Sequence, residues 1–212
     1  MSASLVLLAV FVVSGVIIVA GALKITDLVA RLRALEQQVL TDPLTGAFNR
    51  RHLDVCLQGA IERRRRGGES ACLAVFDVDQ FKDVNDLLGH AAGDDVLKAI
   101  VVLFQQRART LDHLFRTGGE EFALLMPRTG PEAALVVADR LRALIAASRL
   151  IFGHVMTVSV GVSELGDGQS PHDWIADAER ALHAAKRAGR NQVSLVRCYR
   201  TDGIAVAPLA LE

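Results

Sequence analysis

Net charge is the first thing the chain lacks: 24 Lys and Arg balance 24 Asp and Glu over 212 residues. No overall field therefore draws it to nucleic acid, and no nucleic-acid partner is expected. Cysteine is scarce. Cys56, Cys72 and Cys198 are unevenly spaced and form no CxxC or CxxH pattern, which argues against a disulfide framework and against a zinc site. Reduced cytosol suits such a chain. Charged side chains are missing altogether from residues 1–23, and with them the basic leading segment of a cleaved signal peptide.

That uncharged start is instead a long apolar run. From Leu5 to Leu23 only Ser14, Gly15 and Gly21 interrupt it, so it is long enough to cross a bilayer core as a helix. Ala20-Gly21-Ala22 would pass for a cleavage site, but the length of the run favours an uncleaved anchor. Lys24, Arg31 and Arg33 follow the span, and the positive-inside rule then leaves the bulk of the chain in the cytoplasm. The expectation is a single pass through the inner (cytoplasmic) membrane. Ile25, Leu28, Leu32, Leu35 and Val39 next recur at spacings of three and four. Two readings of this stripe stand: a helix resting on its own domain, or the seam of a parallel coiled-coil dimer continuous with the membrane helix.

From Leu40 the pattern alternates between helix and strand. Asp42-Pro43 and Thr45-Gly46 mark a turn before a helix from about Asn49 to Arg65, where Arg63 to Arg66 and Gly67-Gly68 end an exposed helix. Ala71 to Phe76 is a continuous apolar run suited to a buried central strand, ending in Asp77 and Asp79 on one face. A polar connection leads to a helix from about Asp94. "HLFRT" and "FALLM" form a hairpin, "PEAALVVADRLRALIAAS" a helix opened by Pro131, and "VMTVSVGVSEL" a strand. Ser170-Pro171 starts a helix reaching Lys186 and Arg187, Gly189 ends it, and Val193 to Val196 is the last strand. The order implies an α/β (α+β) domain: a mixed sheet with helices packed mainly on one side. The predicted organisation is a transmembrane helix over 1–23, a helical linker over 24–40, a domain over 41–196 and a tail over 197–212.

The hairpin raises a chemical question, because Gly118-Gly119 and the adjacent Glu120 and Glu121 stand at its turn. Glycines there suit a two-residue turn with positive φ, and the carboxylates could be solvated tip residues. Acids at the end of a buried strand are different. Asp77 and Asp79 must meet a cation, a set of hydrogen-bond donors or solvent. If the hairpin lies beside that strand, facing carboxylates attract a divalent metal, and Mg²⁺ needs only a few of them with phosphates and waters completing its shell. The two glycines, lacking Cβ, would then also let a nucleotide come close.

These residues carry a resemblance. "DPLTGAFNRR", "FDVDQFKDVND", "GHAAGDDVL", "RTLDHLFRTGGEEF", "TVSVGVS" and "ADAERALHAAKRAGRN" stand in the order and spacing of the GGDEF-domain diguanylate cyclase family, with "GGEEF" at Gly118 to Phe122 as its signature. The resemblance covers about Leu40 to Val196. It implies a sheet like that of nucleotide cyclases and the polymerase palm, surrounded by helices. It also implies condensation of two GTP into cyclic di-GMP with release of pyrophosphate, by two chains each holding one GTP, so that a homodimer positions the reaction.

By this resemblance Asp77 and Glu120 ligate Mg²⁺, or Mn²⁺ in its place, with the Val78 carbonyl assisting, and Glu121 is a further catalytic carboxylate. Asn85 and Asp94 match the guanine-recognising pair, although an acid near a helix start also reads as a cap. Gly118 and Gly119 border the substrate, and Lys82, Lys186 and Arg190 match the positions that hold the triphosphate. "RTLD", Arg109 to Asp112, matches the family's RxxD site for inhibition by product, and Arg140 resembles the arginine that completes it. Thr117 departs from the aromatic or aliphatic residue common at its position. A non-catalytic receptor of GTP or cyclic di-GMP, and an adenylate-type cyclase or polymerase-like enzyme sharing the palm, are the rival readings. Intact Asp77, Glu120 and Lys186 argue against the first, Asn85 and Asp94 against the second.

Overall fold

The structure, a computed structural model, describes residues 21–26, 29, 40–150 and 154–197. The chain divides into two units, Met1–Leu40 and Thr41–Glu212. In the first, residues 21–26 and 29 are helical. The expected membrane span lies outside the described residues except at Gly21 to Leu23, and the coiled-coil stripe lies outside them except at Ile25. Among the described residues no helix is long and apolar enough to cross a membrane. The tail beyond Arg197 is likewise outside them.

The second unit is built on a six-stranded mixed sheet. Its elements are β1 (Phe48–Asn49), α1 (Arg50–Gly67), β2 (Ala71–Val78), α2 (Phe81–Leu88), α3 (His90–Arg107), β3 (His113–Arg116), β4 (Glu121–Pro127), α4 (Pro131–Ala147), β5 (Val158–Glu164), α5 (Pro171–Arg187) and β6 (Val193–Val196). The strand order is β1-β3-β4-β2-β5-β6. β2 runs antiparallel to both its neighbours, while β1 with β3 and β5 with β6 are parallel. All eight residues of β2 are buried, as a central strand covered on both faces requires.

Those two faces correct one expectation: the helices do not gather on one side. Cys72, Ala74 and Phe76 of β2 pack with Val96, Ile100 and Phe104 of α3 and Ala138 and Leu141 of α4. Ala71, Leu73 and Val75 pack with Leu53 and Leu57 of α1 and Trp174 and Ala178 of α5. Because strand side chains alternate, an unbroken apolar run has two faces to cover, and each recruits its own pair of helices. On the α5 side β5 presents only Ser159, Gly161 and Ser163. A Cβ at Gly161 would come within 2.1 Å of both the Ala178 carbonyl oxygen and the Leu182 nitrogen, so α5 rests directly on the strand backbone.

Three local expectations shift. The helix expected from Asp94 begins four residues earlier, at His90, and the polar connection before it holds a helix of its own, α2. Gly89, at φ +85°, separates the two. Phe48–Asn49 forms a short edge strand where only a turn was expected, and Asn49 then caps α1 by accepting from the His52 amide at 3.0 Å. At the far end of α1, Gly68 closes the helix in the left-handed region at φ +66°.

Candidate active site

β2 ends where Asp77, buried, lies in register with Glu121 at the start of β4. Asp77 does not meet solvent. Its Oδ1 is 2.7 Å from Lys186 Nζ, in the last turn of α5. Glu120, half-buried on the hairpin turn, completes the group: burial first, and then the negative charge of Asp77, push its carboxyl above the usual glutamate range, Lys186 pulling the other way and Glu121 adding to the rise. The Glu120 carbonyl accepts from the Val78 amide at 3.3 Å, binding the turn to the strand end. Glu121 itself is exposed.

The turn is not the one expected from its glycines. Residues 117–120 form the loop, the Thr117 amide donating to the Glu121 carbonyl at 2.9 Å, and neither glycine has a positive φ. Their smallness serves in another way. A Cβ at Gly118 would approach Glu121 Oε2 to 2.8 Å, whereas one at Gly119 would meet nothing within 4 Å. Gly118 makes room for Glu121, and Gly119 turns a bare backbone to open space. Its carbonyl accepts from Arg116 Nη2 at 2.7 Å, and Arg116 Nη1 donates to Asp42 Oδ1 at 3.0 Å. Arg116 thus fastens the hairpin turn to the turn at Asp42-Pro43. Burial alone would raise the Asp42 carboxyl, but hydrogen bonds from Thr45 and Arg116 outweigh it and hold the group below its usual value.

Asp79 has the second kind of partner anticipated for a buried acid, a set of donors. Thr157 Oγ1 at 2.7 Å, Ser159 Oγ at 2.6 Å and the Asn191 amide at 3.1 Å all donate to its carboxylate. It is a clamp between β5 and the loop after α5. The chain around it is strained: Gln80 has φ +56°, Arg190 φ +63° and Asn191 φ +46°, conformations that non-glycine residues hold only where surroundings impose them. Gln80 turns the chain from β2 into α2, and Arg190 and Asn191 turn it from α5 toward β6.

α2 and α3 bring Asn85 beside the start of the next helix. A Cβ on Gly93 would fall 2.1 Å from Asn85 Oδ1, so only glycine allows this approach, and Asp94 follows directly. Asp94 is the fifth residue of α3 rather than its cap, which removes the capping role. Lys82, in the first turn of α2, and Arg190 are exposed, and among the described residues the ion pair made by Asp77 is with Lys186 alone. Away from this end, Arg109, Asp112 and Arg140 line one depression of about 680 Å³ together with Gln106, Val137 and Leu144. Asp112 Oδ2 accepts from the Arg109 amide at 2.9 Å, closing the turn between α3 and β3.

Among the described residues no three His, Cys, Asp or Glu side chains are grouped to hold a metal by themselves. Asp77 and Glu120 nevertheless fit a hard divalent cation that takes one or two carboxylates and completes its shell with phosphate and water. Both offer only acceptor oxygens when ionised, and positive charge beside them would offset the rise that burial first, and then the charge of Asp77, imposes on the Glu120 carboxyl. Sequence reasoning missed Arg116, Asn191 and the ligands of Asp79. Arg116 stood within the quoted hairpin, but nothing local signalled its partner 74 residues away.

A mixed sheet whose central strand and neighbouring hairpin bring carboxylates and a lysine to one end makes this an α/β domain with a charged site at its strand ends. The chain belongs to the diguanylate cyclase GGDEF-domain family, whose pattern matches residues 39–192. The diguanylate cyclase DgcP of Pseudomonas aeruginosa is 41% identical over 169 residues, covering 78% of this chain and 25% of that protein. The chain spans between 25% and 47% of the length of the curated relatives it matches. The GGDEF domain of DgcB from Caulobacter crescentus, solved in complex with c-di-GMP, is 33% identical with a TM-score of 0.71, over 76% of this chain and 96% of that one. The active GGEEF domain of a diguanylate cyclase from Vibrio cholerae is 31% identical with a TM-score of 0.66, over 72% of this chain and 98% of that one.

Proposed function

We propose that the chain is a diguanylate cyclase, condensing two GTP into cyclic di-GMP with release of two pyrophosphates. The observation that carries this reading is the group formed by Asp77, Glu120 and Lys186 beside the open face of Gly119. Asp77 and Glu120, with the Val78 carbonyl, would hold Mg²⁺ or Mn²⁺, which when bound offsets phosphate charge. Lys186, Lys82 and Arg190 hold the triphosphate, and Gly119 lets the nucleotide approach the backbone. Asn85 and Asp94 accept from and donate to the guanine edge in a pattern adenine does not supply. One chain holds one GTP, so two chains face each other and each 3′-hydroxyl attacks the partner nucleotide's α-phosphate. Arg109, Asp112 and Arg140 take up the product in the depression they share. The catalytic domain lies in the cytoplasm, anchored by residues 5–23.

The test is incubation of the full chain, in detergent or vesicles, with GTP and Mg²⁺, and identification of the product by mass. Cyclic di-GMP supports the reading. Binding of GTP without turnover would instead support a receptor, and turnover of ATP at a comparable rate an adenylate-type cyclase. A phosphatase reporter fused after Glu212 should be inactive, as a cytoplasmic end requires; periplasmic phosphatase activity would overturn the topology.

A further inference from the structure

Arg142 belongs to none of the groups assigned above, yet it touches the loop that carries one of them. α4 sends Arg140 into the depression shared with Arg109 and Asp112. Two residues on, roughly 200° around the helix, Arg142 turns to the other side. Its Nε donates to Asp139 Oδ1 at 2.7 Å, which fixes the guanidinium, and its Nη1 donates to Asn191 Oδ1 at 2.8 Å. Its side chain is only 19% exposed. Asn191 is held from the other direction by its amide, which donates to Asp79 Oδ2 at 3.1 Å.

The loop so gripped is strained and short. Gly189, Arg190 and Asn191 have successive φ values of +118°, +63° and +46°. Two consecutive non-glycine residues in the left-handed region persist only where contacts over-determine them. Here the contacts are the Arg190 amide to the Ala185 carbonyl at 3.1 Å, the Gln192 side-chain amide to the same carbonyl at 3.0 Å, and the two tethers on Asn191. Lys186, which pairs with Asp77, lies one residue beyond Ala185. We propose that Arg142 is a positioning residue that acts through Asn191 to hold the loop bearing Arg190, and with it Arg190 and the neighbouring Lys186, two of the three cations of the triphosphate site, at the end of the central strand. This rests on the reading of Arg190 and Lys186 as triphosphate ligands. The same helix α4 then touches both the depression lined by Arg140 and the nucleotide site.

The mechanical half is tested without nucleotide, by hydrogen exchange on the full chain. Arg142→Ala should lose amide protection over residues 189–192 while α4 and β5 keep theirs, and unchanged protection overturns the proposal. The second half uses binding of a non-hydrolysable GTP analogue with Mg²⁺. Arg142→Ala should weaken it about tenfold, the effect of losing one charge-assisted hydrogen bond, and in turnover should raise KM more than it lowers kcat. Asn191→Gly keeps the left-handed backbone and the amide to Asp79 but removes the acceptor for Arg142, so it should weaken binding to a similar extent. The double variant should be no worse than either single one. Additive losses, or analogue binding by Arg142→Ala equal to that of the parent, overturn the inference while leaving the cyclase reading intact. A parent that binds no GTP analogue overturns both.

Discussion

Lys186 Nζ lies 2.7 Å from Asp77 Oδ1, tying the last turn of α5 to the end of the central strand. The two partners are unequally solvated, 34% and 8% exposed, so their removal has unequal costs. Lys186→Ala strands a buried carboxylate and should destabilise the domain by about 3 kcal/mol, whereas Asp77→Asn leaves an ammonium that can reach water. If Asp77 and Glu120 hold a divalent cation, Mg²⁺ should raise the melting temperature of Lys186→Ala and have little effect on Asp77→Asn. Product formation should fall at least about 100-fold in Asp77→Asn and in Glu120→Gln. Equal Mg²⁺ response in the two variants would remove the metal from this carboxylate.

Arg116 joins Gly119 to Asp42, and its side chain and that of Asp42 are 14% and 19% exposed, too buried for water to replace the contact cheaply. Arg116→Ala should therefore cost about 2 kcal/mol of stability. Arg116→Lys keeps the charge but cannot span both acceptors. It should recover part of the stability and little of the turnover, measured by urea denaturation beside a product assay.

Gly161→Ala tests the contact of α5 with β5. The added methyl would have backbone on two sides, at 2.1 Å from Ala178 and from Leu182, and backbone cannot swing aside. The helix must lift off the strand, at about 3 kcal/mol. Lys186 would move with it, so KM for GTP should rise along with the fall in melting temperature. An unchanged melting temperature would show that the helix does not rest on the strand here.

His113 packs among Phe48, Phe115 and, across the cluster, His52. Burial, and secondarily the charge of His52, lower its pKa below the ordinary 6.5. The folded state therefore binds fewer protons than the unfolded chain, and stability falls as pH drops through 6.5, levelling off below the lowered folded value. His113→Phe keeps an aromatic ring against Phe48 and Phe115 and should flatten the decline in melting temperature between pH 8 and 5. A parent and variant with parallel profiles would exclude His113 as the source.

Arg109 and Asp112 stand apart from the Asp77 end of the sheet; if they take up product as proposed, Arg109→Ala should keep its initial rate while its progress curves stay straighter than those of the parent. Added cyclic di-GMP should inhibit it about 10- to 100-fold less strongly, as expected for lost paired contacts to guanine. Arg140→Ala should follow more weakly. Loss of initial rate with unchanged inhibition would make the pair a structural turn.

What the sequence determined alone is what depends on neighbours along the chain. The apolar run into Asp77, the Ser170-Pro171 start and Gly189 end of α5, and the strand at Val193 to Val196 all follow from periodicity, capping and turn chemistry, which act within a few residues. Motif order identified the carboxylates and cations by type, though not by their partners. The tertiary structure decided that both faces of the sheet are covered, that Asp77 meets Lys186 while Asp79 meets Thr157, Ser159 and Asn191, and that Arg116 spans two turns. It also decided against the positive φ expected at Gly118-Gly119, while among the described non-glycine residues Gln80, Arg128, Arg190 and Asn191 adopt it. At Asn191 that conformation is held in part by Asp79 and Arg142, both distant in the chain, so no local pattern announces those partners.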